Sequence, residues 1–228
     1  MRSFLSMLRA DLAFLAITIV AVTICDARAQ SPSSADEPAP LDDETISAWD
    51  HFELSMGFIA GSRRYGDLNY DGGQRYAAML ESAPFDDALV FGLRYDLRLV
   101  VSYVRMTVGV DIPFPSYDSS ATTVMIDGAN TTLDDLRGWN LHFGIGGEYP
   151  VGPVAPFLDI LGDVAFANAS FTSPAGDETI EGRGFGFALR GGVRLHVRKW
   201  FFASASAEVG LVGDIRWGTE LSVGFALM

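Results

Sequence analysis

The sequence predicts an all-β protein, a closed eight-stranded antiparallel up-and-down transmembrane β-barrel. Three observations predict it. From residue 49 onward, side chains alternate between two kinds in eight successive runs, the period of an extended strand with two unlike faces. No position on one of those faces is charged, although 20% of the chain is Asp, Glu, Lys or Arg. The connections between runs also alternate between long and short, the asymmetry of barrels that cross a membrane.

The chain opens differently. Arg2 and Arg9 precede an apolar run from Leu12 to Cys25, followed by Ala27-Arg28-Ala29. A positive end, a short apolar core and small residues at a cleavage site are the parts of a secretory signal. The run falls short of the about 20 residues that a membrane-spanning helix needs. Residues 1–29 are therefore expected to be a cleavable signal peptide. Residues 30–48 are rich in Pro, Ser and acid without periodicity, and read as a flexible acidic periplasmic tail. Residues 49–228 form the barrel domain.

The first run, 51–60, sets Phe52, Leu54, Met56, Phe58 and Ala60 against His51, Glu53, Ser55, Gly57 and Ile59. The second, 88–97, sets Leu89, Phe91, Leu93, Tyr95 and Leu97 against residues that include Arg94 and Asp96. In the third, 100–112, Val100, Ser102, Val104, Met106, Val108, Val110 and Ile112 oppose Val101, Tyr103, Arg105, Thr107, Gly109 and Asp111. The fourth, 139–149, carries Trp139, Leu141, Phe143, Ile145 and Tyr149 on one face and His142 and Glu148 on the other. The fifth, 154–166, places Leu158, Ile160, Val164 and Phe166 opposite Asp159 and Asp163. The sixth, 184–197, is the cleanest: Phe185, Phe187, Leu189, Val193, Leu195 and Val197 against glycines, Arg190, Arg194 and His196. The seventh, 201–211, and the eighth, 217–227, put Glu208 and Glu220 on the polar side and Val209, Leu221, Val223 and Phe225 on the apolar one.

Alternation alone fits either a membrane barrel or a soluble ligand-binding barrel with its apolar face inward. Three features favour the membrane. The polar face is dominated by Gly, Ala and Ser rather than by the long charged side chains of a soluble surface, as a narrow eight-strand interior requires. Long connections at 64–87, 113–138 and 167–183 alternate with tight links near Leu97-Arg98, Pro150–Pro153 and Arg198-Lys199; the link near Gly213–Ile215 is short. Aromatics on the apolar face fall into two belts, Phe52, Tyr95, Tyr149, Phe201 and Phe225 at one level and Phe91, Trp139, Phe166, Phe185 and Trp217 at the other.

The Phe143-Gly144-Ile145-Gly146-Gly147-Glu148-Tyr149 strand, the terminal strand from Trp217 and the loop alternation resemble the small eight-stranded outer-membrane barrels typified by the OmpA transmembrane domain, OmpX and the opacity proteins. Arg216-x-Gly218-x-x-Leu221-x-Val223 resembles an outer-membrane insertion signal, although it ends early and Met228 stands where that family usually has an aromatic. The resemblance implies outer-membrane residence, anchorage in lipid and recognition through external loops. Unlike OmpA itself, the chain is expected to carry no C-terminal peptidoglycan-binding domain.

Chemistry is sparse. The interior charges are expected to be Glu53, Asp96, Asp111, Glu148, Asp159, Asp163, Glu208 and Glu220 against Arg94, Arg105, Arg190 and Arg194. They make either a compensated plug or, through their acidic surplus, a narrow cation-preferring channel for small solutes. A lipid-modifying enzyme is the third reading. It would need a base such as His142 beside a carboxylate, and His51 and His196 lie at the periplasmic ends. Asp159 and Asp163, four residues apart on one face, lie too far apart to share a proton. In the first long loop, Asp67, Asn69 and Asp71 followed by Gly72 open like a calcium loop, but the position that should supply the closing Glu is Ala78. Around Asp127-Gly128, Thr122–Ile126 and Thr131–Leu133 read as a projecting hairpin. No catalytic, cofactor-binding or metal site is identified, and no cofactor is implied.

Composition excludes other classes. With 49% hydrophobic residues the chain is not a disordered one. A net charge of −13 and no basic run beyond Arg198-Lys199 exclude a nucleic-acid binder. One Cys excludes a disulfide framework. The expected protein is a monomeric, non-enzymatic outer-membrane module whose partners are lipid and an extracellular ligand or surface met by the loops.

Overall fold

The computed structural model describes residues 51–116, 123–198 and 200–227. The expected signal peptide and acidic tail lie outside the described residues. In chain order, the described strands are β1 (His51–Arg63), β2 (Asn69–Tyr70), β3 (Ala88–Val101), β4 (Val104–Ser116), β5 (Thr123–Ile126), β6 (Ala129–Glu148), β7 (Val154–Ser173), β8 (Gly176–Arg198), β9 (Phe201–Val212) and β10 (Ile215–Leu227). A 3-10 turn at Tyr65–Asp67 precedes β2, and helices α1 (Ala77–Leu80) and α2 (Ala83–Asp86) separate β2 from β3.

Eight of these strands close a ring in the order β1-β3-β4-β6-β7-β8-β9-β10, every neighbour antiparallel. Closure runs from Phe52 opposite Leu227 to Arg63 opposite Ile215. A closed ring leaves no unpaired edge, the condition for strands to cross hydrocarbon. No described helix is long and apolar enough to cross a membrane. Alternation then decides the faces: Leu54 is 53% exposed on the outside while its neighbour Glu53 is 0% exposed on the inside. The outer band is apolar and the lumen polar, so the molecule is a membrane-spanning barrel.

Register corrects the expected turn near Leu97-Arg98. β3 continues to Val101, and the chain reverses at Ser102-Tyr103, where Ser102 takes φ 55°. The run Leu99-Val100-Val101 is apolar on both faces, so period two loses its phase there. Val100, expected outside, is buried opposite His51, and Tyr103, expected inside, is exposed. Tyr95 moves up the barrel to face Met56, whereas Leu99 faces Phe52. The lower aromatic belt instead gains Tyr103, stacked on Tyr149 at 5.8 Å, and Trp200, which stacks on Phe225 at 5.9 Å.

The larger correction concerns the expected loops 113–138 and 167–183. They are mostly strand: β6, β7 and β8 run on beyond the membrane, and β5 pairs with β6 from Thr123–Thr132 to Ile126–Ala129 around Asp127-Gly128. The predicted hairpin is present, with positive φ at both turn residues. Along these strands the alternation keeps its phase but changes its meaning. On β7 the outward residues change from Val164 and Phe166 to Asn168, Ser170 and Thr172, while the inward ones become Ala167, Ala169 and Phe171. The same change lies between Trp139 and Arg137 on β6 and between Phe185 and Arg183 on β8. That inversion marks where the strands leave lipid for water, and the Trp139–Phe166 stack at 4.1 Å sits on it.

Candidate functional site

Two structures could carry function: the lumen and the cap above it. The lumen is narrow because eight strands enclose little more than side-chain volume, and small residues make the room that arginines need. At Gly109 a Cβ would run into the Asp96 carboxylate and the His142 ring. The guanidinium groups then bridge strands. From the end of the barrel at which β1 begins, Arg194 on β8 reaches Glu53 on β1 at 2.5 Å and Glu148 on β6 at 3.1 Å. Arg105 lies over the Phe157 ring at 3.8 Å and pairs with Asp159 at 3.3 Å. Arg190 joins Asp159 at 3.1 Å and Asp96 at 3.3 Å, and Arg98 also donates to Asp96. Arg94 donates to both oxygens of Asp111, at 2.6 and 2.7 Å, and to Glu208 at 2.9 Å. Arg63 closes the series on Asp111 at 3.0 Å and Asp214 at 2.9 Å.

All of the interior charges expected from sequence are buried, and all but Asp163 join this network. Three were missed: Arg63, Arg98 and Asp214, buried like the rest. Arg63 and Asp214 lie just beyond the alternating runs, and Arg98 was hidden by the misplaced turn. His142 sits between carboxylates, 2.6 Å from Asp96 and 3.4 Å from Asp111, and is 2% exposed. It holds the lumen rather than facing lipid. His51 donates through Nε2 to Glu53 at 2.8 Å and meets the His196 ring edge-on at 6.3 Å.

Above the membrane the inward apolar faces of β5–β8 demand a partner, and residues 64–87 supply it. Tyr65, Leu68, Tyr76, Met79 and Phe85 pack with Ile126, Leu133, Leu136, Phe171 and Ile180 into one buried cluster. Pro84 in the first turn of α2 suits its missing N–H. Tyr76 stacks on Phe171 at 5.0 Å, and Tyr70 meets Phe85 edge-on at 5.8 Å. β2 adds to the edge of β8 through Asn69–Arg183 and Tyr70–Gly182. Burial under the cap holds the Tyr65 and Tyr70 phenols above their ordinary pKa, so both stay protonated across the physiological range. Of the calcium-like residues, Asn69 lies in β2, and Asp67, Asn69 and Asp71 are exposed while Leu68 is buried between them.

One side chain clasps the three external segments. Arg75 donates to Asp127 at the hairpin tip, at 2.9 Å, and to Glu178 on β8, at 3.2 Å; the Tyr76 hydroxyl also donates to Glu178. These residues rim a cavity of about 130 Å³. Exposed ion pairs contribute little to global stability. Arg75→Ala should therefore leave the melting midpoint of the barrel unchanged but speed proteolytic nicking near Asp127; equal nicking rates would show that the clasp does not restrain the tip.

The ring, the apolar band and the polar lumen define a membrane-spanning eight-stranded β-barrel. Among solved structures, the chain is similar to Neisserial surface protein A (14% identity, TM-score 0.49, 77% of this chain and 96% of that one). It is also similar to Ail of Yersinia pestis, solved with the heparin analogue sucrose octasulfate (14%, 0.40, 78% and 97%), and to the N-terminal barrel of Pseudomonas aeruginosa OprF (14%, 0.39, 76% and 97%). No family model matches the chain, and no curated protein matches it.

Proposed function

We propose that this protein is an outer-membrane surface-interaction module: a lipid-anchored, monomeric and non-enzymatic barrel, exported by its N-terminal signal, whose lumen is plugged and whose cap meets a partner outside the cell. The observation that carries this reading is the cap. Residues 64–87 and the extended β5–β8 sheet have a buried core of their own, and an ordered external platform is what recognition on a rigid scaffold requires. Its exposed face bears Asp67, Asp71, Asp86, Asp127, Asp134, Asp177 and Glu181 against Arg64, Arg75, Arg137 and Arg183. That surplus of acid suits a basic partner, or an anionic one bridged by divalent cations.

The plug is supported by guanidinium groups that each bind carboxylates on different strands, because compensated charge fills the lumen with side chains rather than water. The channel remains the second reading. Among the described residues the buried carboxylates outnumber the buried guanidinium groups, a balance that would favour cations. Purified protein in planar bilayers is expected to show no steady unitary conductance. Steady cation-selective steps would replace the plug by the channel. Binding of a basic peptide array to cells carrying the protein, lost when residues 71–80 are replaced by a Gly-Ser linker, tests the interaction.

A further inference from the structure

Where the lumen meets the cap, several buried oxygen atoms are left without a donor. Asp163 on β7 is 1% exposed, and neither of its carboxylate oxygens has a hydrogen-bond partner. Gly186 on β8 lies between Asp163 and the β9–β10 turn that carries Asp214: a Cβ at Gly186 would lie 2.6 Å from both Asp163 Oδ1 and the Val212 carbonyl oxygen, and one at Gly213 would lie 2.5 Å from Gly186 Cα. Two carboxylates placed this near one another repel unless something positive lies between them. Arg63 serves Asp214 at 2.9 Å and is shared with Asp111, so Asp163 stays uncompensated. Asn140, 0% exposed, donates through Nδ2 to Asp214 at 3.1 Å, and its Oδ1 has no partner. Tyr65 places its unpartnered hydroxyl over Gly138, two residues from Asn140 along β6. Gly186, lacking a Cβ, keeps the space open.

We propose that Asp163, Asp214 and Asn140 Oδ1 form a binding site for a hard divalent cation of the calcium class, at the junction of lumen and cap. The donor set is all oxygen, as such a cation requires, and water can complete a flexible coordination shell. A proton shared by the two carboxyls would answer only one contact, leaving the other Asp163 oxygen and the Asn140 carbonyl oxygen unmatched in a buried setting. The cation would tie β7, β6 and the β9–β10 turn together beneath the cap. The site is distinct from the outward-facing Asp67, Asn69 and Asp71.

The test refolds the full chain in detergent micelles with CaCl2, or with EDTA and NaCl at matched ionic strength, and follows melting. Calcium at about ten times its dissociation constant should raise the midpoint by about 3–6 °C. The rise should persist in Asp67→Asn/Asp71→Asn and vanish in Asp163→Asn. With EDTA, Asp163→Asn should be at least as stable as the parent, because its new amide can donate to Asp214. No calcium response, a response that survives Asp163→Asn, or one lost with Asp67 and Asp71 would each overturn the site. So would a calcium-insensitive protein whose stability falls with rising pH only while Asp163 is present, the signature of a shared proton. Should Asp163→Asn fail to fold, Tb³⁺ gives a second reading on the parent. Its tyrosine-sensitised emission should drop in Tyr65→Phe and be displaced by calcium; undiminished emission would overturn the site.

Discussion

Arg94→Ala is expected to destabilise the barrel by about 3–5 kcal/mol, the usual cost of removing one partner from a buried ion pair. Denaturant unfolding in micelles would measure it. Arg94 is 1% exposed and donates to Asp111 through two nitrogens. Asp111 would keep Arg63 at 3.0 Å, but Glu208 would lose the partner it holds at 2.9 Å. The loss should therefore come mainly from a carboxylate stranded in the lumen. Two comparisons separate that cause from lost packing. Arg94→Lys should recover only part of the loss, because an ammonium cannot make the two-pronged bond. Arg94→Met with Glu208→Leu should lie closer to the parent than Arg94→Met alone, since the stranded charge is gone. If the double variant is no better, the network is not held by charge compensation. Arg94→Ala should also be the variant in which cation conductance first appears, because it deepens the acidic surplus.

How far the sequence could be read follows from where one rule applied. Within the membrane, a residue's parity fixes its side, so Glu53, Asp96, Asp159 and Arg190 were assigned correctly from alternation alone. Arg98 was lost because Leu99-Val100-Val101 is apolar on both faces and gives no phase. Asp214 lies in a two-residue turn, where parity has no meaning, and its burial depends on Arg63 from a strand far away in sequence. The cap was hidden for a different reason. Ala167-Asn168-Ala169-Ser170-Phe171-Thr172 alternates as cleanly as any membrane run, but it reads as a loop when apolar is taken to mean outward. Its signal was the exchange of roles just after Phe166, from apolar-out to apolar-in, which the chain repeats beside Trp139 and Phe185. Only the pairing of residues 64–87 with that inner face was beyond alternation, because those contacts are non-local and carry no period.

Phe85→Ala is expected to melt the cap and leave the barrel standing. Phe85 is 0% exposed and packs edge-on against Tyr70, whose strand β2 pairs with β8. Truncating a buried Phe costs about 3–5 kcal/mol. The cap core is built mainly from residues 64–87 and the inner face of β5–β8, with only Ala88 and Val90 from the start of β3, so a loss of that size should exceed its local stability while the ring keeps its own. Hydrogen exchange should speed up through residues 65–86, including the Asp71 amide, which donates to the Glu181 carbonyl. Amides of β1, β3 and β4 within the membrane should stay protected. Should the whole ring unfold with the cap, the two halves are one cooperative unit and the cap cannot move independently to meet a partner. The variant also separates two seals on the lumen. If ion pairs block it, Phe85→Ala should conduct no better than the parent and only Arg94→Ala should open it. If the cap is the seal, the order reverses, and the network beneath serves to hold the strands rather than to close the pore.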